Sequence, residues 1–150
     1  MDKNELKEMD KKQEIKKLSI EEFIGKALEK DSNRKNEDEI LIPGYGPVTF
    51  KRPTENQSLE YLNASANAIK IDRNGTILST DLIHMTESAK SFIYFTCPFL
   101  QDADLQEALS IKDPLDTPSK IFGQENLIDI ANIIQQKFGD GMKVKRAIKN

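Results

Sequence analysis

The segment Pro43-Gly44-Tyr45-Gly46-Pro47 constrains this chain most, because four of its five residues are glycine or proline. Proline lacks a main-chain N–H donor, and glycine loses more conformational entropy than other residues when it is ordered in a helix or strand. Both residues therefore disfavour the interior of a helix or of a central strand. The residues on each side, 39–42 and 48–51, are short segments rich in residues that favour β-strands. The pattern therefore predicts a β-hairpin that turns at this segment.

A second hairpin is predicted near residues 69–79, where Asn74-Gly75 is a pair that tolerates the positive φ of a two-residue turn. Helices are predicted to begin at two capping boxes, one at Ser19 with Glu22 and one at Thr54 with Gln57. Apolar residues at positions 20, 23, 24, 27 and 28 form one face of the first helix. The predicted buried face of the second helix consists of Leu59, Leu62, Ala66 and Ile69.

Further helices are predicted at about 81–95, at about 102–109 and at 124–138, the last ended by Gly139. Pro114 and Pro118 each stand where a helix can begin. In helix 81–95 the apolar residues that keep one register are Leu82, Met85, Ala89, Phe92 and Ile93. The expected fold is α+β and mainly α-helical, with about four to five helices and one or two small hairpins near 39–51 and 69–79.

The length of 150 residues favours one domain, which the patterns place at 19–139. Residues 1–18 alternate lysine and glutamate with few apolar residues, which predicts a flexible or frayed arm. Residues 140–150 read as a basic tail. The arm over 1–18 lacks the apolar area that would offset the entropy lost on ordering it.

The charge balance argues against a nucleic-acid partner. Lys and Arg total 22 and Asp and Glu total 25, which gives a net charge of −3 rather than the basic excess that phosphate binding requires. No apolar stretch approaches the roughly 20 residues of a membrane span, and the first residues lack a signal-peptide pattern. We therefore expect a cytosolic protein with neither a nucleic-acid nor a membrane partner.

Catalytic chemistry has few candidates, since Cys97 is the only cysteine and His84 the only histidine. On a straight helix, thirteen residues separate them by roughly 20 Å along the axis and by about 140° around it, so they cannot form a nucleophile–base pair. A zinc site needs about four such ligands. We therefore expect that the protein is not an enzyme and binds neither a metal nor a cofactor. Cys97 is expected to be a small buried apolar residue, and a Cys–His enzyme is the weakest alternative.

Four segments together resemble the XkdN-like phage tail assembly chaperones: residues 47–63, PVTFKRPTENQSLEYLN; 97–109, CPFLQDADLQEAL; 113–122, DPLDTPSKIF; and 127–139, LIDIANIIQQKFG. The likeness spans roughly 19–139, and it departs from the family at Cys97 and at the proline-rich turn. It implies a protein of the bacterial host cytoplasm, absent from the mature virion, that binds and solubilises the tape-measure protein and helps recruit tail-tube subunits. The alternative is a small cytosolic protein–protein adaptor or regulator of another system.

The last helix has more apolar residues than one stripe requires, which indicates either a helix sandwiched within the domain or a second face for a partner. A chaperone of a long helical protein would use such a face, and the same face would also let chains form a homo-oligomer. The non-helical stretch after Cys97 could flank it. The predicted contact residues are Phe99, Ile130, Ile133, Ile134 and Phe138.

Overall fold

A computed structural model describes residues 17–139 of the chain. Apart from Lys17 and Leu18, the predicted arm over 1–18 lies outside the described residues, and so does the predicted tail over 140–150. The chain divides into two compact units, residues 1–34 and 35–150. This division lies fifteen residues or so beyond the domain start that the sequence predicts at residue 19.

The described part of the first unit is one helix, α1 (Ile20–Asn33). Its N-cap is the predicted one, because the Ser19 hydroxyl accepts a hydrogen bond from the main-chain N–H of Glu22 at 3.1 Å. None of the residues 20–33 is buried, and at least half of the surface of each large apolar residue is exposed: Ile20, Phe23, Ile24 and Leu28. The amphipathic face exists, but it does not form a core.

The second unit begins with the predicted hairpin, in which β1 (Glu37–Ile42) pairs antiparallel with β2 (Gly46–Lys51). The turn between them needs Gly44 and Gly46, whose φ angles of 87° and 88° lie in the left-handed region that side chains disfavour. One face of the hairpin is buried and the other exposed, as period-2 alternation requires. The buried residues are Ile40, Ile42, Val48 and Phe50.

Three helices pack together beside this hairpin: α2 (Glu55–Ala68), α3 (Leu82–Thr96) and the last helix, α6 (Leu127–Phe138). The two short helices between α3 and α6 are α4 and α5, whose bounds are given below. The central helix α3 contacts both of the others. Its buried residues are Ala89, Phe92, Ile93 and Thr96. The core therefore lies between α3, α6 and the inner face of the first hairpin.

The predicted buried face of α2 is wrong. Leu59, Leu62, Ala66 and Ile69 are all exposed, and the residues of α2 that are buried are Tyr61 and Ala68. Tyr61 faces the core because its ring stacks on Phe92, with 4.9 Å between ring centroids. Its hydroxyl hydrogen-bonds Asn132 Oδ1 at 2.9 Å, so one side chain joins α2 to both α3 and α6.

The second hairpin is formed by β3 (Ile69–Ile71) and β4 (Ile77–Thr80), in antiparallel order. Its turn is longer than the predicted two residues, because Asp72 and Thr76 close the loop with a hydrogen bond from the Asp72 N–H to the Thr76 carbonyl at 3.0 Å. Gly75 has the positive φ, 82°, that the sequence indicates. Every residue of the two strands is exposed.

The segment between α3 and α6 consists of two short α-helices and three 3₁₀ turns. In chain order these are a 3₁₀ turn (Pro98–Gln101), α4 (Ala103–Ala108), a 3₁₀ turn (Pro114–Asp116), α5 (Thr117–Phe122) and a 3₁₀ turn (Gln124–Asn126). Pro114 and Pro118 occupy helix starts, as predicted. Residues 17–139 thus contain six α-helices and two two-stranded sheets, so the α+β, mainly helical fold is confirmed. No helix within these residues is both long and apolar enough to cross a membrane.

Candidate partner-binding surface

The structure separates the five predicted contact residues into two groups. Ile130, Ile134 and Phe138 are buried in the core and so cannot form a free contact face, which corrects that part of the prediction. They are buried because α3, α5 and β1 cover the face of α6 on which these three residues lie. Phe99 and Ile133 remain accessible, with 59% and 38% of their surface exposed.

Phe99 and Ile133 each line an apolar pocket, and the two pockets share three lining residues: Tyr45, Ile121 and Phe122. The first, the Phe99 pocket, has a volume of about 330 Å³ and is further lined by Val48, Cys97, Leu100, Asp102 and Leu105. The second, the Ile133 pocket, has a volume of about 340 Å³ and is further lined by Leu41, Ile42, Pro43, Asn126, Asp129 and Ile130. We call the two pockets together the apolar groove.

Tyr45 is the ridge between the two pockets. It lies in the turn of the first hairpin, and its hydroxyl donates a hydrogen bond to the carbonyl oxygen of Ile121 at 3.1 Å. Its ring meets Phe122 edge to face, with 6.1 Å between centroids. More than half of Tyr45 is nevertheless exposed. The glycine–proline turn thus presents an aromatic ring to solvent in the middle of an apolar concavity.

Tyr45 is not among the contact residues predicted from the sequence, because the glycines and prolines around it indicate only a turn. A tight turn does not require a large aromatic residue at its tip. The presence of Tyr45 there is therefore the one sequence signal that indicates a contact role. Its position over Phe122 depends on a contact between residues 76 positions apart, which local patterns do not encode.

The polar residues of the apolar groove are acidic or neutral. Asp102 lines the Phe99 pocket and caps α4, accepting a hydrogen bond from the Leu105 N–H at 2.9 Å. Asp129 lines the Ile133 pocket in the first turn of α6. The lining residues of the two pockets include neither lysine nor arginine. The groove therefore fits an apolar ligand that carries positive charge at its edges.

Cys97 lies at the bottom of the Phe99 pocket and is fully buried. Burial raises the pKa of its thiol, an effect that hydrogen bonds from the main-chain amides of Leu100 and Phe99 only partly oppose. Its sulfur lies 3.8 Å from the carbonyl oxygen of Thr49. His84 is exposed in the first turn of α3, whereas Cys97 caps the other end of that helix, so the fold does not bring the two side chains together.

Acidic and metal-ligating side chains do not converge elsewhere in the part of the chain that the structure describes. Over residues 17–139, no three His, Cys, Asp or Glu side chains are grouped so that they could hold a metal ion.

Comparison with protein-family models, with curated proteins and with solved structures found no match to this chain. The resemblance to XkdN-like chaperones consequently rests on the sequence segments alone.

Proposed function

We propose that this protein is a phage tail assembly chaperone whose apolar groove binds helical segments of the tape-measure protein. The observation that supports this function is the exposed apolar concavity on both sides of Tyr45, flanked by Phe99 and Ile133. In this proposal the protein keeps its partner soluble and helps recruit tail-tube subunits. It acts in the cytoplasm of the bacterial host and is absent from the mature virion.

The shape of the groove suits a helix that exposes large apolar side chains. A tape-measure protein is a very long helical chain whose apolar seams are uncovered until the tail tube encloses them. An amphipathic helix binds a groove through anchor residues spaced along one face. An apolar cavity of about 150 Å³ already admits a benzene ring. Each pocket of the groove, at about 330 and 340 Å³, therefore accepts one aromatic or branched aliphatic anchor.

The charge of the groove suits a transient complex. Asp102 and Asp129 are exposed at the two pockets and attract basic residues that flank the apolar anchors of a partner helix. Exposed charge pairs of this kind accelerate association but add little affinity, and salt screens them. Binding that depends mainly on apolar contact with a weak charged rim can be released when tube subunits arrive.

The same geometry supports a binding protein rather than an enzyme. The thiol with the raised pKa is a poor nucleophile, and the accessible groove is lined by hydrocarbon rather than by converging polar groups. An adaptor of another system could use the same groove for an amphipathic helix. That alternative differs in its partner, since an adaptor would leave the tape-measure protein aggregated.

The proposal is tested by co-expression with the tape-measure protein encoded in the same genome. The wild-type chain should keep the partner soluble, and Phe99→Lys, which places a charge in the groove, should leave it aggregated. The matched control is Phe95→Lys: Phe95 is also a phenylalanine, four residues away and 52% exposed, but it does not line the groove. An aggregated partner beside the folded wild-type chain would contradict the proposed function.

A further inference from the structure

The second hairpin, β3 and β4, exposes much of its aliphatic surface to solvent. Six large aliphatic residues of the hairpin and the start of α3 are exposed: Ile69, Ile71, Ile77, Leu78, Leu82 and Ile83. A two-stranded hairpin that buries none of its residues is at best marginally stable in water. Exposed apolar patches of this size mark an interaction surface.

The two edges of this hairpin differ in charge. On β3, Lys70 lies mid-strand, and Asp72 and Arg73 follow directly. Charged residues, lysine above all, protect an edge strand from pairing with another chain. Residues 76–80, which form β4 and the residue before it, carry no charge. The β4 edge is thus the unprotected one.

The hydrogen bonds of β4 show which main-chain groups its free edge offers. The Asp81 N–H donates to the Ala68 carbonyl at 2.8 Å, so Asp81 points toward the β3 side of the ladder. Main-chain groups of an antiparallel strand alternate in direction. The N–H and C=O of Thr80, the next residue along and the partner of Ile69 in the register, therefore point away from β3.

We propose that β4 pairs antiparallel with β4 of a second copy of this chain, forming a four-stranded sheet in the order β3-β4-β4-β3 about a twofold axis. A twofold interface requires a self-complementary surface, and an uncharged strand meeting itself brings no like charges together. Of the six exposed aliphatic residues, the four that lie outside β3, namely Ile77, Leu78, Leu82 and Ile83, supply at most roughly 450–500 Å² of surface per copy, against about 800 Å² per partner in a standard stable interface. Main-chain and polar surface of the paired strands supplies the remainder.

This surface shares no residue with the apolar groove. A dimer would therefore present two grooves at once. If the proposed function holds, two linked grooves bind a long helical partner more tightly than one, because the second binding event is intramolecular. The dimer itself does not depend on that function.

Self-association is tested on the full chain by sedimentation equilibrium over a range of concentrations. The wild-type chain should show a reversible monomer–dimer equilibrium. Leu78→Glu removes an exposed leucine of β4 and adds a charge that meets its symmetry mate, so it should weaken dimerisation by at least about tenfold. Leu59→Glu makes the same exchange on α2, where Leu59 is 54% exposed and lines neither pocket of the groove, and should dimerise like the wild type.

Ser79→Glu keeps the test valid if Leu78→Glu disturbs the hairpin. Ser79 is the cross-strand partner of Lys70, so a glutamate there gains an opposite-charge pair within the chain while charging the free edge. It too should weaken dimerisation by at least about tenfold, with unchanged circular dichroism. In the wild type, amide exchange at Thr80 should slow as protein concentration rises.

A wild-type chain that stays monomeric at every concentration would overturn the proposal. A dimer that forms equally well with Leu78→Glu and Ser79→Glu would also overturn it, because the contact would then lie elsewhere. A monomer whose β4 edge binds a strand of a different protein, seen as Thr80 protection only in that complex, overturns it as well.

Discussion

The Tyr45 hydroxyl donates a hydrogen bond to the Ile121 carbonyl at 3.1 Å, joining the turn of the first hairpin to α5. The two residues are 76 positions apart, so this bond fixes the turn on the far part of the unit. Because Tyr45 and Ile121 both line the two pockets, the same contact shapes both halves of the apolar groove. The groove is consequently a product of tertiary structure.

Replacing Tyr45 should change binding more than stability. Tyr45→Ala removes the ridge and the hydrogen bond, but the residue is more than half exposed, so the free energy of unfolding should fall by only about 1–2 kcal/mol. Affinity for a tape-measure helix should fall because the pockets merge into a flatter surface. Tyr45→Phe keeps the ring over Phe122 but removes the hydrogen bond to Ile121, so its affinity should fall by less than that of Tyr45→Ala. Equal affinities for Tyr45→Ala and the wild type, measured by calorimetric titration, would argue that Tyr45 does not shape the site.

Two neighbouring isoleucines of α6 should respond very differently to truncation. Ile134 is fully buried, so Ile134→Ala should lower the free energy of unfolding by about 2–5 kcal/mol. Ile133 is 38% exposed, so Ile133→Ala should cost less, about 1 kcal/mol. Urea denaturation of the two variants measures the difference. Similar losses at both positions would contradict the division of α6 into core and groove residues.

The stability of the protein should decrease in alkaline solution. Burial raises the pKa of Cys97 above its ordinary value of 9.0, and burial, together with the nearby Asp129 carboxylate, raises the pKa of Tyr61 above 10.0. In each case the folded state keeps a proton that the unfolded state has lost, so stability is full below the ordinary pKa and declines as pH rises through the raised one. Each group contributes a slope of at most about 1.4 kcal/mol per pH unit.

Cys97→Ala isolates the thiol's share of this dependence. At pH 7 the variant should lose about 1–2 kcal/mol through altered packing and should keep its partner binding. Between pH 9 and the pKa region of Tyr61, its stability should decline less steeply than that of the wild type, since the ionising thiol is gone. Urea midpoints measured across this range make the comparison. Identical pH slopes would show that Cys97 titrates alike in both states, and loss of binding by a folded variant would reopen a chemical role for the thiol.

Local signals in the sequence predicted where most elements begin and end. The capping box of Thr54 with Gln57 is present with both of its hydrogen bonds, and the turn at 43–47 is where its glycines and prolines place it. These features succeed because a cap or a turn is satisfied by residues within a few positions of one another. The same locality accounts for the α+β, mainly helical fold class.

The sequence predicted less well which residues each element buries. Leu59 and Leu62 have helical spacing, yet Tyr61 is the buried residue because Phe92 and Asn132 receive its ring and its hydroxyl. Three of the five predicted contact residues proved to be core, since they lie on the face of α6 that α3, α5 and β1 cover. Whether a side chain is buried depends on which other elements pack against its helix or strand. Hydrophobic periodicity indicates only that one face of the element is more apolar than the other.

The most direct test of the account is the affinity of purified Phe99→Lys for a tape-measure fragment, measured by calorimetric titration beside Phe95→Lys. Placing a lysine ammonium among the apolar residues that line the Phe99 pocket should cost about 2 kcal/mol of binding free energy, or roughly thirtyfold in Kd. The account predicts such a loss for Phe99→Lys and near wild-type affinity for Phe95→Lys, with both variants folded. Equal affinities for the two variants, or a greater loss with Phe95→Lys, would contradict the assignment of the apolar groove as the partner-binding site.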